Sequence, residues 1–186
     1  MSGERFILTV VGKDHPGIVA GISEELYEYG CNIQELNQAV LSDEFAMILL
    51  LQTTGDISID DLNKSLKKRC KELKVNHSLR KATVLTDSYS KPSKDIIIIT
   101  VIGSDKIGIV AGVTKILADM DINIVELSAE PYVIEDVAQY SVVARVEVDE
   151  NIDMIKLKSL LDERAKELSV EIDIQNQEIF RAMHKI

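Results

Sequence analysis

A stretch of 28 residues occurs twice in this chain of 186 residues, and this repeat limits which folds the chain can adopt. Thr9–Leu36 and Thr100–Leu127 lie 91 residues apart and are identical at 14 of 28 positions without a gap. Three further positions exchange Val for Ile or Ser for Thr. Chance does not give such agreement, so the chain is predicted to contain two copies of one structural unit.

Hydrophobic periodicity predicts the elements of the first copy. Segments rich in β-branched residues indicate strands, and Ile18, Ile22 and Leu26 have the spacing of one buried helix face. Gly12–Pro16 is predicted to be a turn, and Gly30 to end the first helix. The predicted order is strand Arg5–Val11, helix Gly17–Tyr29, strands Ile33–Leu41 and Phe45–Gln52, helix Ile59–Leu73 and a closing strand within Val75–Leu85.

The second copy repeats this order, and both copies read βαββαβ. Its predicted elements are strand Ile96–Ile102, helix Gly108–Met120, strands Ile122–Val133 and Val137–Val148, helix Met154–Leu168 and strand Val170–Gln175. A βαββαβ order with a short hairpin indicates an α+β fold of two tandem ferredoxin-like domains, each an antiparallel sheet with helices on one face. The predicted organisation is domain 1 at residues 1–86, a polar linker at 87–95, and domain 2 at 96–186 with a C-terminal tail.

Several strands are apolar on both faces. "FILTVV", "FAMILLL" and "IIIITVI" do not alternate with polar residues, whereas helices cover only one face of such a sheet. The other face is expected to be covered by the second unit or by a second chain. We therefore expect self-association, as a homodimer, and we expect the apolar positions of the tail Glu178–Ile186 to dock on a unit.

The repeated stretch places a glycine where the first strand turns into the first helix. The free amides of Gly17–Val19 and Gly108–Val110, with the helix dipole, would suit an α-carboxylate. Asp14 and Asp105 could accept from an α-amino group, or they could cap the helix or close an Asx turn. Asn32 and Asn123 could recognise polar ligand atoms, or they could serve the turn after the helix.

Glycines in the middle of the first helix also repeat. Gly21 and Gly112 each cost about 1 kcal/mol relative to Ala in a helix interior. Their repetition indicates close packing, either against a strand or across an interface.

Composition and charge exclude several classes of function. A formal net charge of −10 opposes binding to a phosphate backbone, although Lys64–Lys74 carries six cations and one Glu. The two cysteines, Cys31 and Cys70, have neither metal nor redox spacing and are expected to be packed thiols. No metal site, no cofactor, no secretory segment and no membrane helix is predicted, and a cytoplasmic location is expected.

The segments "TVVGKDHPGIVAGISEELYEYGCNIQEL" and "TVIGSDKIGIVAGVTKILADMDINIVEL" resemble the D-x-x-G-I-V…N-I pattern of tandem ACT-domain proteins. The likeness is to the branch of the glycine cleavage system transcriptional repressor, and "IFRAMHKI" resembles the tail of small stand-alone ACT proteins. The resemblance implies a regulatory module that binds an amino acid at interfaces between ACT units. The second copy departs from the pattern at two positions, since it has Ile107 at the position of Pro16 and Asp121 at the position of Gly30.

The resemblance also implies which residues bind the ligand. In the first copy they are Asp14, His15, Pro16, Gly17, Ile18, Val19, Asn32 and Ile33. In the second copy they are Asp105, Gly108, Ile109, Val110, Asn123 and Ile124.

Three hypotheses remain from the sequence. The first is a non-enzymatic regulator that senses an amino acid such as glycine or serine and acts through contacts with a partner regulator or enzyme. The second is an oligomerisation or adaptor module without a ligand. The third is a weak nucleic-acid binder that uses Lys64–Lys74, although specific direct binding is not expected. An enzyme is not expected, because no nucleophile–base pair, metal set or phosphate loop is visible.

Overall fold

The structure is a computed structural model that describes residues 3–55, 57–82, 95–134 and 137–176. The chain divides into two compact units, Met1–Ser90 and Lys91–Ile186. Most of the predicted linker and the whole predicted tail lie outside the described residues. In the first unit the elements are β1 (Arg5–Lys13), α1 (Ile18–Glu28), β2 (Cys31–Leu41), β3 (Glu44–Thr53), α2 (Ile59–Glu72) and β4 (Val75–Lys81).

The second unit has the same element order. Its elements are β5 (Asp95–Gly103), α3 (Ile109–Asp119), β6 (Asn123–Ile134), β7 (Val137–Val148), α4 (Met154–Leu168) and β8 (Glu171–Asn176). The four-stranded sheets are ordered β2-β3-β1-β4 and β6-β7-β5-β8, and neighbouring strands in both sheets are antiparallel. The prediction of two tandem ferredoxin-like domains is confirmed.

Alternation along the central strands separates a buried face from an outer face. Phe6, Leu8 and Val10 are buried, and the core cluster that contains them also contains the apolar faces of both helices. Val11 and Ile48 are 48% and 46% exposed on the other face. The helices therefore cover one face of the sheet, as predicted, and the outer face of the first unit remains apolar.

The first turn of the first unit differs from the prediction. Gly12 continues β1, since it pairs with Phe45 on one side and Val75 on the other. A Cβ at Gly12 would lie 3.0 Å from Val75 Cα, so the neighbouring strand comes too close for a side chain. The predicted turn at Gly12–Pro16 is therefore wrong at its start, because cross-strand pairing keeps Gly12 extended.

Both repeated mid-helix glycines face the second helix of their own unit. A Cβ at Gly21 would lie 3.1 Å from Leu73 Cδ1, and one at Gly112 would lie 3.0 Å from Arg164 Cδ. Close packing is confirmed, but its partner is a helix rather than a strand or an interface between molecules. The absent side chains let α1 approach α2, and α3 approach α4, closely.

The residue after the first helix is left-handed in both units. Gly30 has φ 64°, and its amide donates to the Tyr27 carbonyl at 3.0 Å, which is the helix end predicted from the sequence. Asp121 takes the same role at φ 56°, and its amide donates to the Ala118 carbonyl at 3.1 Å. The departure from glycine is thus accommodated, because Asp is among the residues that tolerate this conformation.

Candidate functional site

The β1–α1 and β5–α3 loops share one backbone geometry. Gly17 and Gly108 are the residues before the first helical residue, with φ of 100° and 102°. The first amides that bond back to these glycines are those of Gly21 and Gly112, at 2.9 and 2.8 Å. The preceding amides of each first turn have no i−4 carbonyl within the helix, so they can serve an anion. In the second unit, the Ile109 amide also donates to the Lys106 carbonyl at 3.5 Å.

The space outside these glycines is open. A Cβ built on Gly17 or Gly108 meets no other atom of the chain within 4 Å. Glycine is therefore required there by its positive φ and not by crowding. A ligand or a partner can approach this turn of the backbone without displacing a side chain.

The loop aspartates do not cap the helices. No side-chain hydrogen bond caps α1 or α3, although Asp14 and Asp105 were candidates for that role. The Asp14 amide donates to the Asp43 carbonyl at 2.7 Å and ties the loop to the β2–β3 hairpin. Both aspartates are exposed, so their carboxylates are accessible to a ligand ammonium group.

His15 fastens the loop to the end of the second helix. Its Nε2 lies 2.7 Å from the Leu73 carbonyl, and its Nδ1 lies 2.9 Å from the Pro16 carbonyl. Carbonyl oxygens only accept, so the doubly protonated ring satisfies both contacts. The hydrogen bond to Leu73, and then the one to Pro16, raises the pKa of His15 above its ordinary value of 6.5.

Lys106 performs the same fastening in the second unit. Its Nζ donates to the Leu168 carbonyl at 3.0 Å. The two carbonyls are equivalent, since Leu73 and Leu168 both end the second helix of their unit. His15 was predicted from the sequence as a site residue, but its contact with Leu73 was not predicted. One pattern in the sequence is consistent with that contact: His15 and Lys106 occupy the same repeat position, and both side chains can donate hydrogen bonds.

The remaining loop residues divide into core and surface. The Ile18 and Ile109 side chains are buried in the core clusters, so only their amides can reach a ligand. Val19 and Val110 are half-buried, whereas Pro16 is exposed. Ile107, at the position of Pro16, is fully exposed.

The asparagines lie at the other end of the sheet. Asn32 pairs with Gln52, which pairs with Arg5 at the start of β1, whereas the loop follows Lys13, which pairs with Glu44. Eight strand residues separate the two ends, a distance of roughly 27 Å. One unit therefore does not bring Asn32 to its own loop.

The second unit shows the same separation. Asn123 pairs with Glu147, which also pairs with Ile96, while the loop follows Gly103. The Asn123 Nδ2 donates to Glu147 at 3.4 Å. Ile33 and Ile124 are half-buried next to a register shift that recurs in both units.

Neither a metal-binding cluster nor an exposed thiol is found among the described residues. Within them, no group of three or more His, Cys, Asp or Glu side chains could hold a metal ion. Cys31 and Cys70 are free and buried, as predicted, and burial raises the pKa of both thiols, that of Cys70 to about 11. Among the same residues, no helix has the length and apolar character needed to cross a membrane.

Comparisons with known proteins match each unit to one domain family. The ACT domain family model matches residues 4–79 and again residues 95–175. A UPF0237 protein of Methanopyrus kandleri is 45% identical over 73 residues, which are 39% of this chain and 81% of the relative. A UPF0237 protein of Clostridium acetobutylicum is 40% identical over 92 residues, which are 48% of this chain and 97% of the relative. Each relative is thus about as long as one unit.

Two solved structures match both units at once. An unknown protein from Galdieria sulphuraria has a TM-score of 0.79 at 26% identity, covering 93% of this chain and 98% of that one. A candidate glycine cleavage system transcriptional repressor has a TM-score of 0.66 at 20% identity, covering 92% and 96%. At that identity the second likeness shows the fold alone.

Proposed function

The chain belongs to the ACT-domain family, with one ACT domain in each unit, and we propose from this that it is a non-enzymatic regulator that binds a small amino acid such as glycine or serine. This proposal rests on the open turn at Gly17 and Gly108, where first-turn amides lack an i−4 partner and an exposed aspartate stands three residues earlier in both units.

The proposed contacts follow the charges of a free amino acid. Its carboxylate accepts from the amides of Gly17–Val19 or Gly108–Val110, and its ammonium group donates to Asp14 or Asp105. A few charge-assisted hydrogen bonds must offset the lost freedom of the ligand. An affinity between micromolar and millimolar, about −4 to −8 kcal/mol, is expected.

Self-association is part of the proposal. The asparagines lie roughly 27 Å from the loop of their own unit, so the carboxamide has to come from another unit, and we propose that a second copy of the chain supplies it. We expect a cytoplasmic homodimer that passes the binding signal to a partner regulator or enzyme through protein contacts. Coupling of about 1–3 kcal/mol between ligand and partner would suffice.

The test is a binding experiment with variants of the loop and of the asparagines. In calorimetry with free amino acids at millimolar concentration, we expect one small amino acid to bind the wild type. We expect binding to be lost in Gly17→Val/Gly108→Val and weakened in Asn32→Ala/Asn123→Ala. Gly55→Val is the matched control, since a Cβ there also meets nothing within 4 Å but Gly55 lacks a positive φ.

A mixing experiment tests the shared site. In a mixed dimer of the loop variant and the asparagine variant, one site has an intact loop from one chain and an intact asparagine from the other. The mixture should therefore contain sites of wild-type affinity, which neither variant has alone. If no amino acid binds the wild type, the sensor proposal fails and the adaptor module replaces it.

A further inference from the structure

A cavity of about 620 Å³ lies between α2 and β4 of the first unit, and no residue of the β1–α1 loop lines it. Its floor is formed by apolar core residues that include Cys70 and Val75, both buried. Its walls carry Asn63, Lys67 and Lys71 from the helix, with polar residues of the edge strand opposite. This volume falls in the range of small-molecule sites.

The charge of the cavity is positive and uncompensated. Lys67 and Lys71 are one helical turn apart and point to the same side of α2. Within the described part of the chain, neither ammonium group forms an ion pair, whereas the nearby acids are occupied: Asp61 bonds Lys64 at 3.1 Å, and Glu72 lies 3.7 Å from Arg69.

The strand side supplies neutral hydrogen-bonding groups. His77 Nε2 lies 2.9 Å from Asn63 Oδ1, and because an amide oxygen only accepts, Nε2 donates. Burial, and then the neighbouring Lys67 charge, lowers the pKa of His77, so the ring is neutral at pH 7. Ser78 adds a hydroxyl to the lining.

The second unit provides an internal comparison. Ser58 and Asp153 cap the second helices, and Val75 and Val170 face Gly12 and Gly103, so residues 95 apart are equivalent there. At the positions of Asn63 and Lys71 stand Lys158 and Lys166, and at those of Lys67, Asn76, His77 and Ser78 stand Asp162, Glu171, Ile172 and Asp173. The second unit thus keeps two lysines but adds three acidic residues.

These exchanges reverse the sign of the charge. The second unit also pairs its own charges, since Lys158 contacts Asp162 at 3.4 Å. The element order and the loop glycines are the same in both copies, whereas the net charge of this surface is positive in the first unit and negative in the second. A structural role shared by both units would not require that difference.

We propose that the α2–β4 cavity of the first unit binds a small phosphorylated molecule. Two lysines one turn apart match the two negative charges of a phosphate monoester, and each ammonium acts as a point charge. The Arg69 guanidinium pairs with Glu25, so it is not available to bind a ligand carboxylate through two parallel hydrogen bonds. The amide, imidazole and hydroxyl groups then contact the polar body of the ligand, and the apolar floor contacts its carbon atoms.

A small molecule suits this surface better than a nucleic acid does. The formal net charge of −10 repels a long phosphate backbone, whereas a single small dianion interacts mainly with the positive charges of the nearby lysines. Two lysines around a concavity also provide few of the extended contacts that a nucleic-acid strand needs.

The experiment compares two lysines of one helix. Inorganic phosphate and glycerol 3-phosphate are titrated into the full chain at about 150 mM salt, where distant surface charges are screened, with amide and imidazole NMR shifts as the readout. We expect saturable shifts at His77 and Ser78. Lys67→Ala should weaken binding about tenfold, the factor expected for one lost charge-assisted hydrogen bond.

Lys68→Ala is the matched control, because it removes the same charge from an exposed neighbour that does not line the cavity. It should change the affinity by less than about twofold. His77→Ile, which installs the residue of the second unit, should also weaken binding. Gly17→Val/Gly108→Val should leave it unchanged, which separates this proposal from the amino-acid site.

Three results would overturn the proposal. The first is no saturable shift with either probe. The second is an equal loss in Lys67→Ala and Lys68→Ala, which would indicate a diffuse charge effect. The third is tight binding of a 12-nucleotide single strand that both variants weaken equally, which would assign the lysines to nucleic acid instead.

Discussion

At the scale of single residues, His15 shows how one position of the repeat keeps its role with a different side chain. His15 and Lys106 both donate to the carbonyl at the end of the second helix, at 2.7 and 3.0 Å. Only the histidine changes its charge near neutral pH. The hydrogen bond that holds the first loop should therefore weaken as the pH rises through the pKa of His15, whereas the bond of Lys106 in the second loop should not change near neutral pH.

The first prediction concerns the pKa of His15. Its folded pKa is raised above 6.5 by two carbonyl hydrogen bonds. Its contribution to stability is therefore complete below the unfolded pKa and is lost as the pH rises through the folded pKa. In an NMR titration, His15 should titrate above 6.5 and His77, whose pKa is lowered, below it.

His15→Lys is the corresponding variant, since it copies Lys106. It should keep the loop fastened and remove the pH dependence of the loop resonances. A His15 pKa at or below that of His77 would show that the two carbonyl contacts do not hold in solution.

At the scale of elements, the two helix pairs use different chemistry for the same packing. In the first unit, buried Glu25 on α1 accepts from Ser65, and from Arg69 Nε at 3.1 Å, on α2. In the second unit, the equivalent of Glu25 is the buried Ile116. Leu160 stands at the position of Ser65 and packs against the core.

The second prediction removes this buried carboxylate. Glu25→Ala should lower the free energy of unfolding of the first unit by about 2 kcal/mol, because Arg69 and Ser65 lose a partner in a partly dry site. Urea unfolding measures the change. Glu24→Ala is the control, since Glu24 is exposed and lies 3.9 Å from Arg69, and its effect should stay within about 0.5 kcal/mol.

Introducing the residues of the second unit at both positions should restore the free energy of unfolding. Glu25→Ile combined with Ser65→Leu replaces the polar pair by the apolar pair of the second unit, and such replacements are often neutral or stabilising. If the double variant were less stable than Glu25→Ala, the two helix pairs would not be interchangeable.

At the scale of the whole molecule, the outer face of the first sheet is the strongest argument for self-association. Val11 and Ile48 are about half exposed there, beside a mainly apolar cavity of about 310 Å³ that Thr9, Ala39 and Ala46 also line. On the corresponding face of the second unit, Ile102 at the position of Val11 is 41% exposed, whereas Ile98 is only 2% exposed. The first unit is therefore the place to test association.

The third prediction is that a charge on this face weakens the dimer. Ile48→Glu should raise the dimer dissociation constant by at least about tenfold, because an unpaired carboxylate would be buried in an apolar contact. Ile155→Glu is the control, since Ile155 on α4 is 85% exposed. Light scattering at micromolar concentration measures both, and a monomeric wild type would contradict the prediction.

The sequence by itself determined the local features of this protein. The repeat and the hydrophobic periodicity predicted two βαββαβ units, the buried face of the first helix and the glycine at its end, because these depend on neighbouring residues. The two-residue period of strands and the 3.6-residue period of helices can both be read from the order of apolar and polar residues.

Only the tertiary structure decided which distant residues meet. It placed Asn32 at the opposite end of the sheet from its loop, because β3 lies between β2 and β1 and sets the register of both. It also brought His15 to Leu73, 58 residues later, and Lys67 to the edge of β4. Such contacts depend on strand order and helix packing, which arise from pairing over long sequence separation and leave no local pattern in the sequence.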